Sequence, residues 1–196
     1  TGSEDPALCD DAGTHKQSKA ILLVSTTTRP KEDSSGEWLV GKRRDALQAF
    51  VRGGGGIVGI HGAADSHYSW DWYGRMIGAR FARHPSGTPK GTLTRADLDH
   101  PSIRDLPASF EAVDEWYWFD DLDPRLRPLL LLDPASIGEK GANPRPLAWA
   151  HAFEGGRVFY TALGHTAEAW SDPRIVGHVM GGLDWTLGRG ARAMVV

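Results

Sequence analysis

Cysteine is almost absent from this chain, with Cys9 the only one among 196 residues. A single thiol excludes an internal disulfide framework and a cysteine-based metal site. It suits a reducing compartment, and a cytoplasmic location is the expectation. Long apolar runs are also missing: none approaches the ~20 residues needed to cross a bilayer. The opening Thr1-Gly-Ser-Glu-Asp5 is polar and acidic, unlike a signal peptide. Basic stripes are lacking too. The densest cluster, Lys42-Arg43-Arg44, is followed at once by Asp45, and the formal net charge is −3. There is thus no electrostatic case for nucleic acid or for a membrane surface. The glycine run Gly53–Gly56 has no Lys-Ser/Thr after it and leads into a strand, so it is not a phosphate loop. No nucleotide cofactor is expected.

What is present is an ordinary globular composition, 40% hydrophobic and 24% charged, at the length of one domain. Residues 1–18 read as a polar lead-in, and 19–190 as one α/β domain. Ala20–Val24 is a short apolar run of the kind buried on both faces of a parallel sheet. Apolar spacing predicts a helix over Trp38–Val51, a strand at Ile57–Ile60 and a short helix at Trp72–Ile77. Strands follow at Lys90–Ala96, Phe110–Phe119 and Leu129–Leu132. Pro146–Phe153 and Arg157–Leu163 form a hairpin around Glu154-Gly-Gly156. Asp172 then caps a final helix starting at Pro173.

Ligands of open α/β sheets bind beyond the carboxyl ends of strands, and two histidines occupy such ends. His61 ends Ile57–Ile60 on a glycine-flanked elbow, and His165 follows Gly164 after the last strand. The elbow offers imidazole where acyl-transfer enzymes would place Ser or Cys. Imidazole serves both acid/base work and divalent metal binding. Asp114-Glu115 is the third candidate. Adjacent carboxylates in a strand point to opposite faces, so one of them, taken as Glu115, faces the site. A desolvated Glu could be tuned toward a general base. His84 and His100, each before proline, are weaker candidates, whereas His15, His67, His151 and His178 read as surface or packing residues. Eight tryptophans are many for this length, and an indole suits a core edge or a sugar-sized pocket alike.

Gly54–Asp65, with its Gly-Ile-His61-Gly core, is followed by Trp72-Tyr73, Ile77-Gly78, Phe81 and His84-Pro85. Further on stand Asp99-His100-Pro101, Asp114-Glu115-Trp-Tyr117, Pro146–Trp149, Gly156–Thr166 and Gly181-Gly182. This spaced set resembles the ThuA-like family of trehalose-utilisation type, over about residues 20–188. The resemblance implies a flavodoxin-like three-layer sandwich with a mostly parallel sheet and an antiparallel flank. Such a fold is related to class I glutamine amidotransferases, with histidine where those keep cysteine. It also implies sugar catabolism, in which partner dehydrogenases make 3-keto sugars or glycosides. Nothing in residues 1–18 resembles the family's first strand.

On this reading His61, Glu115 and His165 are catalytic. A divalent metal, zinc or manganese, would be held by His61, His84 and His165. Asp65, Trp72, Tyr73 and Trp116 would bind the sugar. Two other classes stay open: a non-catalytic carbohydrate-binding or regulatory module, and a metal-dependent amide or ester hydrolase. A homodimer is also expected, because an incomplete sheet leaves an unpaired strand edge to cover.

Overall fold

The computed structural model describes residues 18–29, 34–96, 99–139 and 143–189. The lead-in at 1–17, with His15 and the question of a first strand, lies outside these residues. Nine strands and four helices follow one another among those described: β1 (Ala20–Val24), α1 (Lys42–Arg52), β2 (Gly56–Ile60), α2 (Asp71–Ile77), β3 (Arg80–Arg83), β4 (Lys90–Arg95), β5 (Ser109–Val113), β6 (Trp118–Asp120), β7 (Arg127–Asp133), β8 (Arg145–Phe153), β9 (Gly156–Thr161), α3 (Ala167–Ser171) and α4 (Pro173–Thr186). One-turn 3₁₀ segments occupy His61–Ala64 and Pro134–Ile137.

Seven strands make the main sheet in the order β1-β2-β9-β8-β7-β4-β5. β1, β2 and β9 run parallel, and every later pairing is antiparallel. Alternating direction through β8, β7 and β4 returns β5 to the sense of β9. The carboxyl ends of β2, β9 and β5 therefore share one edge of the sheet. The sheet also curls, because residues just after β5 hydrogen-bond the loop leaving β9. β3 and β6 form a separate two-stranded ribbon.

β2 is buried at all five positions, as its apolar run requires. β9 is buried at every position but Arg157. α4 lies close over these two strands. A Cβ on Gly182 would sit 2.4 Å from the Phe159 ring, and one on Gly56 would sit 2.8 Å from Thr186. Only glycine permits that approach. α2 packs on the opposite face, where Ile77 and Tyr160 crowd Gly59.

Three expectations change. β1 stands at the sheet's edge and is not buried on both faces, with Leu22 46% and Val24 48% exposed. The first helix begins at Lys42 rather than Trp38, because Trp38 and Leu39 give their carbonyls to Arg43 and Arg44 and their surfaces to the core. The strand expected over Phe110–Phe119 breaks at Asp114–Tyr117, which turns β5 into the ribbon through a segment that carries site residues. No helix among the described residues is long and apolar enough to cross a membrane.

Candidate metal and acid–base site

His61 is the first residue after β2, and its backbone has φ 49°, in the left-handed region. A non-glycine residue there costs about 1–3 kcal/mol unless its surroundings hold it. Here they do. The ring Nδ1 lies 2.8 Å from the Ala162 carbonyl, and Tyr160 donates its hydroxyl to the His61 carbonyl at 2.9 Å. β2 and β9 are paired neighbours, so the elbow is fixed by the strand beside it.

His165 is placed by a buried carboxylate. Asp114 has no exposed surface, and it accepts from the backbone N–H groups of Gly164 at 2.7 Å and His165 at 3.0 Å. It also accepts from the Glu115 N–H at 2.9 Å. Gly164 takes φ 108°, which lets the loop turn directly onto this carboxylate. Burial pushes the Asp114 carboxyl up from its ordinary value, and those three N–H groups pull the other way. Thr166 caps α3 and donates its hydroxyl to Val113, tying β5 to the same loop.

Glu115 then reaches the two imidazoles. His61 Nε2 lies 3.0 Å from His165 Nδ1 and 3.3 Å from Glu115 Oε2, and His165 Nδ1 lies 3.8 Å from the same oxygen. One ligand atom from each of the three residues falls within 4.8 Å of the others. The far oxygen, Oε1, meets His84 Nδ1 at 3.2 Å. The His61 ring packs at 4.3 Å against Tyr117, which in turn packs at 4.3 Å against Phe81. Burial pushes His61 below the usual imidazole value, against the pull of the Ala162 carbonyl and the nearby carboxylates. It pushes the Tyr117 hydroxyl upward, with Glu115 adding to the shift.

Hydrogen counting gives this cluster its character. Ala162 offers only an acceptor, so His61 Nδ1 carries the proton and Nε2 presents a lone pair. The 3.0 Å contact then requires His165 Nδ1 to donate. Glu115 Oε2 faces the same lone pair with no proton left for it. Two acceptors, His61 Nε2 and Glu115 Oε2, thus face the single hydrogen on His165 Nδ1, and giving up that hydrogen would leave three lone pairs converging, the electrostatic setting that favours a cation.

The predicted site residues divide. His61, Glu115 and His165 come together as expected. His84 does not join the two histidines, because it lies behind Glu115 on the far carboxylate oxygen and also contacts the Pro85 carbonyl. Asp65 is buried and bonded to Tyr68 and Arg29, so it braces the wall instead of offering its carboxylate to a ligand. Trp72 stacks on Trp70 at 5.0 Å and meets Phe153 edge-on. Tyr73 donates to the Ala63 carbonyl and is buried, and Trp116 donates to the Pro89 carbonyl and is buried. None of these three rings has a face open to a sugar.

Asp114 and Tyr117 join the site without having been expected there. Only one of the two adjacent carboxylates was expected to serve the site, yet both do, since the segment is not a strand and Asp114 turns inward to the His165 loop. Tyr117 was within reach, because it stands two residues from Glu115 and extended chain puts both on one side.

A profile of the ThuA family, described by trehalose utilisation, matches residues 3–186. The chain belongs to the ThuA family. A solved ThuA-like protein from Bacteroides uniformis superposes with a TM-score of 0.75 at 23% identity, covering 94% of this chain and 75% of that one. A second ThuA-like protein, from Parabacteroides merdae, gives 0.65 at 19% identity, over 90% and 73% of the two chains. A cytoplasmic protein from Salmonella typhimurium gives 0.64 at 10% identity, over 90% and 75%. These likenesses carry the fold. No curated protein sequence matches the chain significantly.

Proposed function

We propose that this ThuA-family chain is an enzyme of sugar breakdown whose centre is a divalent cation held by His61, His165 and Glu115. The observation that carries the reading is the convergence of three potential ligand atoms that hold one proton between them. Their separations of 3.0, 3.3 and 3.8 Å suit a single ion with bonds of about 2.0–2.2 Å. The Ala162 carbonyl on His61 Nδ1 is the outer partner that such ligands ordinarily have. Zinc or manganese fits a donor set of two imidazoles and one carboxylate.

An ion there would polarise a carbonyl oxygen, which favours an oxidised sugar, such as a 3-keto sugar or glycoside, as substrate. The chain's residues do the rest. His61, held on its elbow, cannot swing away. Asp114 keeps the His165 loop at the required distance. His84 steadies Glu115 from the far side. Tyr117, itself buried, packs beside the His61 ring and holds it from one side. Loss of a proton next to the carbonyl would open elimination, hydration or isomerisation.

The test compares the parent with a His61→Ala/His165→Ala variant. Plasma mass spectrometry should find near-stoichiometric metal in the parent and none in the variant, and turnover of a 3-keto glycoside should vanish with it. A metal-free parent would overturn the centre. Sugar bound by the parent without any product would make the chain a binding module of the same fold.

A further inference from the structure

All eight tryptophans lie among the described residues, and Trp170 alone is exposed, at 40%. The indole is nevertheless fixed. It donates its Nε1–H to the Gly164 carbonyl at 3.0 Å, so the surface it shows to solvent is apolar ring. Its backbone is held as well, because Thr166 caps α3 and its carbonyl accepts from the Trp170 N–H at 3.4 Å.

The place of this ring is set by the two turns of the site. A Cβ built on Gly164 would lie 3.1 Å from Trp170 Cζ2 and 3.1 Å from Ile60 Cγ2. Glycine there lets the ring come this close. Gly164 precedes His165, and Ile60 precedes His61. The indole therefore wedges where the two histidine-bearing turns meet. The cluster reaches solvent through the same loop. The side chains of His61 and Glu115 are 4% and 13% exposed, whereas that of His165 is 46% exposed. His84, the other exposed imidazole, lies behind Glu115 on its far oxygen. A ligand bound for the shared space between the three ligand atoms thus passes His165.

We propose that Trp170 is the platform on which the sugar ring lies while its carbonyl reaches the centre. The proposal rests on the reading of a sugar-breakdown enzyme given above and names the residue that selects the sugar. A pyranose has C–H faces and hydroxyl edges, and a rigid indole offers a face for the former at little cost in conformational entropy. The hydroxyl edges are then left to the polar groups around His165. Closed-ring glycosides are favoured over open-chain ketones, whose carbonyl chemistry is the same but which have no ring face to stack.

The test uses methyl α-glucopyranoside, which has the ring but no carbonyl to react, so binding is read without turnover. Titration calorimetry should show affinity lowered about tenfold in Trp170→Ala, with metal content and circular dichroism unchanged. Trp170→Phe keeps a ring but loses the N–H to Gly164, and it should recover most of the affinity. In the parent, the glycoside should shield tryptophan fluorescence from acrylamide, and Trp170→Phe should lack that shielded component. Equal affinity in Trp170→Ala would overturn the platform and leave the enzyme reading intact. So would a phenylalanine variant as weak as the alanine one, since the indole would then only brace the loop. A parent that binds no glycoside would overturn both. A metal-free parent whose binding depends on Trp170 would overturn the centre and sustain the platform. Should the alanine variant fail to fold, the shielding in the parent and in Trp170→Phe still decides.

Discussion

Replacing Asp114 with alanine removes the group that joins β5 to the loop after β9. Three backbone N–H groups, those of Gly164, Glu115 and His165, lose their acceptor at a position with no exposed surface. Each buried donor left unpaired costs about 1–3 kcal/mol. The gross penalty is several kcal/mol. Part of it is offset, because the substitution also removes a carboxylate whose burial is unfavourable. The net expectation is a loss of about 2–4 kcal/mol. Urea unfolding should show it as a midpoint lowered by about 1–2 M, given a slope of about 2 kcal/mol per M. Asp114→Asn keeps one acceptor oxygen and should lose less. The alanine variant should bind zinc or manganese more weakly than the parent, because the His165 N–H is no longer fixed. A stability change below about 1 kcal/mol for the alanine variant, with unchanged metal affinity, would refute the reasoning.

Acid should destabilise the fold through three buried imidazoles. His67, His100 and His178 are each pushed by burial from 6.5 to about 4. Below about pH 6.5 the unfolded chain takes up protons that the native state refuses, so stability is full above that pH and falls toward about 4. The slope is about 1.4 kcal/mol per pH unit for each histidine. Chemical unfolding across that window checks it, and a flat profile would contradict the burial. Gly182→Ala puts a Cβ 2.4 Å from the Phe159 ring and should cost about 1–3 kcal/mol, read as a lowered melting temperature. Glu115→Gln keeps the shape but removes the anion facing two imidazoles, so bound metal should fall at least tenfold while the protein stays folded. Retained stoichiometric metal would exclude Glu115 as a ligand.

Much of the site was legible because position relative to a strand end is a local property. His61 follows Ile57-Val-Gly-Ile60 and His165 follows the Val158–Leu163 run, and both lie where a parallel sheet exposes its turns. What joins them is not local. His61 and His165 are 104 residues apart, and the carboxylate that sets their spacing comes from β5, five places away from β2 in the sheet. Only the curl brings that strand's end to β9. Aromatic roles failed for a related reason. A run such as Trp70-Asp-Trp72-Tyr73 has the same composition whether it lines a pocket or fills a core. Here Trp70, Trp72 and Tyr73 went to the core, and one ring, Tyr117, went to the site.

The division of labour inside Asp114-Glu115 explains why two adjacent acids stand at a break between strands. In a continuous strand they would face opposite sides, and one would be wasted. Because β5 ends at Val113, the chain twists, and Asp114 meets backbone N–H groups that no β-ladder satisfies. That frees Glu115 to extend beyond the sheet edge to His61 and His165 on one oxygen and His84 on the other. Restoring the ladder would therefore disperse the cluster even with all three residues present. Elongating β5 through Glu115 would turn Asp114 away from Gly164, release the His165 loop and separate the two imidazoles. The irregular backbone of this segment is the feature by which a sheet of ordinary strands holds the His61, His165 and Glu115 ligand atoms within 4.8 Å of one another.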